Sequence, residues 1–281
     1  MCMGLGCNAA GIIGCRIIDS PREKMIAILT NNFMPCNGRF PTLIAISSVF
    51  FAVTSYKALN SFIPAFAITL CIIFGVGVTL LVSYILSKTL LKGVPSTFTL
   101  ELPPYRVPKI GRVIYSSIID RTLFVLGRAV MIAAPAGAVT WLLANIMIGD
   151  MSISNHVASF LQPFANLMGL DGFILMAFIV GLPANEIVLP VLLMAYLSTG
   201  SLIEFDSISQ LKEILVGNGW TYLTALNTIL FSLLHWPCST TLMTIKKETG
   251  SHKWTFAAFM IPTVIAVVVC MFTTAVYRLI S

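Results

Sequence analysis

The stretch that decides the fold is ALNSFIPAFAITLCIIFGVGVTLLVSYILS, residues 58–87, which contains no Asp, Glu, Lys or Arg. A membrane-spanning helix needs roughly 20 apolar residues to cross about 30 Å of hydrocarbon, and this run exceeds that length. Working outward, further uncharged stretches cover residues 40–56, 129–149, 214–245 and 254–277. The run 40–56 is marginal as a crossing unless its flanks snorkel. None of these stretches alternates polar and apolar residues as a membrane barrel strand does. Helices, which satisfy their own backbone groups within lipid, are therefore predicted.

Composition agrees. Of 281 residues, 57% are hydrophobic and 10% charged, against about 25% charged in a soluble domain, and mean hydropathy is +0.93. A soluble protein this apolar lacks the polar surface to stay dispersed. The expected class is all-α, a polytopic helical membrane protein with re-entrant or broken helices. The excess of 17 Lys and Arg over 11 Asp and Glu follows from basic residues gathering in cytoplasmic loops, and nucleic-acid binding is not expected. Seven cysteines, mostly in or beside apolar runs, make a poor disulfide framework. Cys71 and Cys270 read as small core residues. The N-terminus shows no cleavable signal peptide. No GxxxxGK[ST] motif is present, so nucleotide binding and enzymatic activity are not expected.

Loop charges orient the chain. Residues 88–128 carry Lys88, Lys92, Arg106, Lys109, Arg112, Arg121 and Arg128 against Glu101 and Asp120, a cytoplasmic signature. The prolines of Glu101-Leu102-Pro103-Pro104-Tyr105-Arg106 force an extended path, and the part after Pro108 reads as a basic surface helix. Residues 150–171 and 200–213 read as external. Between them, 172–185 and 187–203 are uncharged segments divided by Glu186. Each is short, and both outer ends want the same side, the pattern of a re-entrant hairpin or of broken half-helices. The stretch 214–245 then crosses inward to Lys246-Lys247-Glu248, and 254–277 crosses last. This count leaves the C-terminus outside, although Arg278 pulls the other way.

Two short elements recur in order. Gly4-Leu5-Gly6-Cys7-Asn8 is echoed by Gly181-Leu182-Pro183-Ala184-Asn185, and Pro35-Cys36-Asn37 by Pro237-Cys238-Ser239. The first is followed by Arg16, Arg22 and Lys24, the second by Glu204 and Asp206. Opposite flanking charge suggests an inverted repeat whose unwound helix ends meet near the bilayer midplane. The candidate metal ligands are Cys7, Cys36, Cys238 and Glu186, with Asn8 and Asn185 as candidate gate residues. Thiolates with a carboxylate suit a borderline transition metal better than Ca²⁺ or Mg²⁺, and a passing ion needs few, labile ligands. A cysteine in an apolar helix is usually packing. A carboxylate between apolar runs is costly unless it faces a polar cavity, which singles out Glu186. His235 and Met34, beside the Pro-Cys pairs, are further candidates. His156 and His252 read as loop residues, and the four tryptophans as interface anchors or packing.

These residues together resemble the ferrous iron transport protein B family. Residues 4–8 look like its GFGCN element, and Pro35-Cys36 with Arg39 like its Cys-x-x-Arg segment. ELPPYR at 101–106 resembles the loop before the second Gate region, and GLPANE at 181–186 its GFPAKE. Trp236-Pro237-Cys238 with Ile245-Lys246-Lys247-Glu248-Thr249-Gly250 resembles its late PC and IKxE[ST]G motif. Asn185 stands where that pattern has Lys, and Ala9-Ala10-Gly11 where it has a valine-proline stretch. The resemblance implies the permease part of an Fe²⁺ uptake transporter in the bacterial inner membrane, multi-pass, with Fe²⁺ as cargo and no prosthetic group. It divides the chain into the end of a first Gate region at 1–39, a central two-helix segment with its cytoplasmic loop at 40–110, and a second Gate region with C-terminal spans at 111–281. It implies a separate GTPase-bearing chain as partner, beside the lipid bilayer, and is compatible with a homo-oligomer. Met1 falls almost on the first motif, as in the second piece of a split transporter or a truncated reading frame. The competing readings are a non-transporting fragment, a Gate-type interaction subunit, and a Gate protein for an organic solute such as a nucleoside.

Overall fold

The computed structural model describes residues 2–51, 57–91, 111, 115, 124–148, 151–197 and 207–280. Its long helices are α4 (Lys57–Lys88), α5 (Phe124–Asn145) and α12 (His252–Ile280). Helices α4 and α12 contain apolar windows long enough to span a bilayer. Both carry apolar side chains on exposed stripes: Phe62, Phe66, Leu70, Ile73 and Leu80 on α4, Val264, Val268 and Phe272 on α12. The opposite face of α4 is small and buried. There Gly75, Val78, Thr79, Val82 and Leu86 recur at helical spacing, and Gly75 sits so close that a Cβ would lie 2.7 Å from the Phe33 carbonyl oxygen.

The other helices are short because each has its own start and stop. They are α1 (Asn8–Gly14), α2 (Pro21–Thr30), α3 (Phe40–Phe50), α6 (Ile153–Leu167), α7 (Gly172–Val180), α8 (Val188–Leu197), α9 (Ile208–Gly217), α10 (Tyr222–Leu234) and α11 (Ser239–Thr249). Ser20 accepts from the Glu23 amide with Pro21 in the first turn of α2, a capping arrangement written in the sequence Ser-Pro-Arg-Glu. Ser152, Asp171, Ser207 and Thr221 cap α6, α7, α9 and α10 in the same way. Gly169, Gly219 and Gly250 take left-handed conformations after α6, α9 and α11, the αL stop that only glycine adopts freely. A two-residue antiparallel pair, β1 (Met147–Ile148) with β2 (Met151–Ser152), joins α5 to α6.

Two spans and the loop assignment of two histidines are corrected. The stretch 40–56 does not form one crossing, since α3 ends at Phe50 and eleven residues rise only about 16 Å. Nor is 214–245 a single span: Gly219 at φ 82° ends its first helix, and residues 235–238 interrupt it again before α11. Within the stretch 150–171, read as external, residues 153–167 form helix α6. His156 lies within α6 and His252 begins α12, so neither is a loop residue. The predicted interruption near Glu186 is present: α7 ends at Val180, residues 181–184 turn, and a short 3-10 turn at Asn185–Ile187 leads into α8. A second interruption precedes it, where α6 and α7 are bent by 111°. The motif at 101–106 and the acidic residues at 204 and 206 lie outside the described residues.

The α6–α7 bend depends on a backbone approach. A Cβ on Gly172 would lie 1.9 Å from the Ala158 carbonyl oxygen, while the Gly172 amide donates to Gln162 Oε1 at 2.8 Å. Asn227 on α10 ties the bend to α12, donating to the Met168 carbonyl at 2.8 Å and to Thr274 Oγ1 at 2.9 Å. Gly172→Ala is therefore expected to lower stability by about 1–3 kcal/mol through forced displacement of α6, read as a fall in unfolding midpoint in detergent micelles.

Near the turn that carries Lys246 and Lys247, Arg16 forms a two-point pair with Glu248 at 2.9 and 2.5 Å. The hydrogen bond from Arg16 holds the Glu248 carboxyl below the usual glutamate range. A depressed carboxyl contributes stability that is whole above its unfolded value and is lost as pH falls through the folded one. The stability gap between wild type and Glu248→Gln is expected to be open at pH about 7. It should close on acidification below pH about 4, measured as thermal midpoint against pH.

Candidate functional site

The two repeated sequence elements have the same local geometry. Cys7 is extended at φ −150°, ψ 126° before α1, and Ala184 at φ −149°, ψ 117° before the turn into α8. Each is followed by a buried asparagine, Asn8 or Asn185. Each Pro-Cys pair lies in a non-helical passage between two helices, α2 with its following 3-10 turn and α3 for the first, α10 and α11 for the second. The residue after each pair closes onto its Gly-Leu element: the Asn37 amide donates to the Gly6 carbonyl at 3.2 Å, the Ser239 amide to the Leu182 carbonyl at 2.9 Å. Pro35 and Pro237 lack an amide hydrogen and so cannot donate a helical hydrogen bond within these passages.

Arg39 joins the two passages. Arg39 is 1% exposed, and its guanidinium donates to the carbonyls of Asn32 at 2.9 Å, Leu233 at 2.7 Å, His235 at 3.1 Å and Trp236 at 3.2 Å, and to Asn32 Oδ1 at 3.1 Å. Leu233 and its neighbours end α10, so Arg39 supplies the donors that its last carbonyls lack within the helix. A cation also sits favourably at the negative end of the helix dipole. Asn32 completes the junction, donating to the His235 carbonyl at 2.7 Å and accepting from Asn8 Nδ2 at 3.4 Å. Sequence reasoning named Arg39 only as part of a motif. The signal was there, because Arg39 divides the uncharged runs 25–38 and 40–56 as Glu186 divides its own, and an isolated charge between apolar runs is costly unless it has a purpose.

The predicted site residues are not gathered equally. Asn185 lies between Cys36 and His235, its Nδ2 3.8 Å from Cys36 Sγ and its Oδ1 3.4 Å from His235 Nε2. Glu186 is exposed and reaches the backbone of the first passage, with Cγ 3.1 Å and Oε1 3.3 Å from where a Cβ on Gly38 would lie. Cys238 is half-buried with Sγ 3.2 Å from Thr241 Oγ1, and both Cys36 and Cys238 lie within electrostatic reach of Arg39. Cys7 is exposed, while Asn8 faces Asn31 and Asn32. Among the described residues, no group of three or more His, Cys, Asp and Glu side chains lies close enough to hold a metal ion. Met34 is buried.

Paired interruptions stitched by backbone hydrogen bonds, inside a framework of bilayer-length helices, define a polytopic helical membrane protein with broken helices. The family description "ferrous iron transport protein B C terminus" matches residues 68–120, and the Gate description, "nucleoside recognition", matches residues 115–252. Fe(2+) transporter FeoB of Staphylococcus aureus strain MSSA476 is 30% identical over 276 residues, covering 95% of this chain and 39% of that protein. The proteins of the same name from Methanocaldococcus jannaschii and from Synechocystis are 26% and 27% identical, over 99% and 94% of this chain and 41% of each relative. The chain belongs to the ferrous iron transport protein B family, of which it is the C-terminal membrane part. It spans about two fifths of the length of these curated relatives. No solved structure matches it.

Arg39→Lys keeps the charge but offers three donors from one nitrogen to acceptors spread over both passages. It is expected to cost at least about 2 kcal/mol, because buried carbonyls left unsatisfied cost about 1–3 kcal/mol each. Arg39→Met should cost more than Arg39→Lys. Unfolding midpoints of the two variants in the same detergent check the order.

Proposed function

We propose that this chain is the permease part of a ferrous iron transporter, with Fe²⁺ passing between the two interrupted passages. The observation that carries the reading is the meeting of sulfur, amide and imidazole side chains where the passages close onto each other. The names of the relatives supply the ion, and the chemistry is consistent with it: sulfur and nitrogen donors favour a borderline transition metal over Mg²⁺ or Ca²⁺.

In this reading Cys7, Cys36 and Cys238 are transient ligands met in turn, and Glu186 is a carboxylate at the mouth of the first passage. Asn8 and Asn185 gate the extended segments. The two halves form an inverted repeat, in which residues 1–39 end the first Gate region, 40–110 link the halves, and 111–281 form the second. The transporter works in the bacterial inner membrane, with Fe²⁺ as cargo, together with a GTPase-bearing chain or segment and as a homo-oligomer. Sparse ligands fit transport, since a complete closed shell would trap the ion. The Gate description supports a second reading, a carrier of organic solutes, but the donor set beside Asn185 favours a cation.

The test is Fe²⁺ uptake into proteoliposomes holding the chain together with its GTPase-bearing partner. Cys238→Ser and Glu186→Gln are each expected to reduce initial uptake about tenfold or more. Uptake at the wild-type rate in both variants would remove these residues from the path. Nucleoside uptake in place of iron would favour the second reading.

A further inference from the structure

We propose that His235 is a cation ligand of the permeation path, presenting Nε2 to the ion beside the Asn185 side-chain oxygen and Cys36 sulfur. The inference deepens the transport reading and rests on it for the identity of the cation.

The ring is held by its other nitrogen. Nδ1 lies 3.0 Å from the Phe231 carbonyl and 2.8 Å from the Ser232 carbonyl. Carbonyl oxygens only accept, so Nδ1 carries the proton, and in the neutral ring Nε2 has a free lone pair. Anchoring one ring nitrogen to a backbone carbonyl is how proteins orient metal-binding histidines. The plane of the ring is set by its neighbours: Phe178 lies 4.9 Å away, Trp236 5.6 Å, and Phe231 stacks at 5.8 Å. These contacts leave Nε2 aimed in one direction, towards Asn185.

What lies there is another acceptor. Asn185 Oδ1 is 3.4 Å from Nε2, and two lone pairs facing each other repel unless a cation or a proton lies between them. The spacing suits an ion. Two ligands about 2.1 Å from a metal, at a tetrahedral angle, are about 3.4 Å apart. Cys36 lies on the other side of the same amide, with Sγ 3.8 Å from Nδ2. His235, Asn185 and Cys36 are 1%, 6% and 8% exposed, so water competes little for their lone pairs. Turning the amide by half a turn offers Nδ2 to the ring and the oxygen to the thiol, so the empty site can satisfy itself. Loading the ion then requires only rotation of one amide.

The surroundings keep such a site weak. Arg39 donates to the backbone carbonyl of His235 itself, which places a fixed positive charge near the ion. A nitrogen donor beside sulfur also explains a preference that oxygen ligands alone could not produce, since imidazole and thiolate discriminate against Mg²⁺ and Ca²⁺.

The test uses the full chain in lipid nanodiscs and Co²⁺ as a spectroscopically visible probe. A histidine bound through Nε2 to Co²⁺ shows an exchangeable ring N–H proton resonance, strongly shifted by the paramagnetic ion. The sequence has three histidines. The double variant His156→Gln/His252→Gln leaves His235 as the only one, without touching the site. Its Co²⁺ form is expected to retain the shifted resonance, and absence of that resonance overturns the proposal. His235→Asn replaces Nδ1 with an amide nitrogen able to keep the backbone bonds, and removes Nε2. Loss of the resonance with Co²⁺ affinity weakened about tenfold or more supports the ligand role, whereas affinity within about twofold of wild type overturns it. The two readings fail separately. Co²⁺ bound by His235 in a protein that carries no Fe²⁺ would sink transport and leave the ligand standing. Fe²⁺ uptake unchanged in His235→Asn but abolished in Cys238→Ser would remove the ligand and leave transport.

Discussion

The guanidinium of Arg39 is the constraint on which the centre of this structure depends. Interrupting a helix inside a membrane strands carbonyl groups that water cannot reach, each costing several kcal/mol in hydrocarbon. Here the stranded groups are the carbonyls at the end of α10, from Leu233 to Trp236, and Arg39 reaches them from the first passage. The exchange works in both directions. A buried guanidinium without partners is itself prohibitive, so neither interruption is tolerable without the other. The contact spans roughly 200 positions of sequence, so the two halves of the chain must fold against each other before either passage is stable.

How much of this was legible depended on whether the signal was local. Helices α4 and α12 follow from uncharged length alone, and the interruption near Glu186 follows from one carboxylate between two apolar runs. The recurring Gly-Leu and Pro-Cys elements were legible as a pair, and their matching geometry at Cys7 and Ala184 follows from short elements repeated in order. The bend at 168–171 was missed, although Gly169 and Asp171 are an ordinary helix stop followed by an ordinary cap. In an apolar context the charge of Asp171 marks a side of the membrane and says nothing of the helix before it. The run 214–245 was misjudged for the opposite reason. It lacks charge, so length outweighed Gly219 and Pro237. The meeting of Cys36, Asn185 and His235 could not be read at all, because it depends on a contact between residues far apart in sequence. Sequence spacing does not tell how exposed each of the three motif cysteines is. The fold separates them into one that is exposed, one in the buried cluster, and one half-buried beside a threonine.

That separation bears on how a path can select an ion without holding it. Cys36 shares its surroundings with a neutral amide and an imidazole, while Arg39 adds positive charge a short way off. Repulsion of the order of a few kcal/mol at intermediate dielectric is enough to offset part of what sulfur and nitrogen donors gain. In the proposed path, an ion pausing there would be recognised by its donors and expelled by electrostatics. Glu186, exposed beside Gly38, offers the opposite charge at the entrance to the same passage.

The length of α4 has a consequence of a different kind. Its uncharged run of 30 residues extends for about 45 Å as helix, against a hydrocarbon layer of about 30 Å. Such a helix must tilt, kink near Pro64 or thicken the surrounding bilayer, each at a fraction of a kcal/mol per Å of mismatch. Gly75 presses this helix onto the Phe33 carbonyl, three residues before Cys36. In a bilayer thinner than α4, mismatch would therefore load the first passage through this contact, making lipid thickness a variable in its geometry.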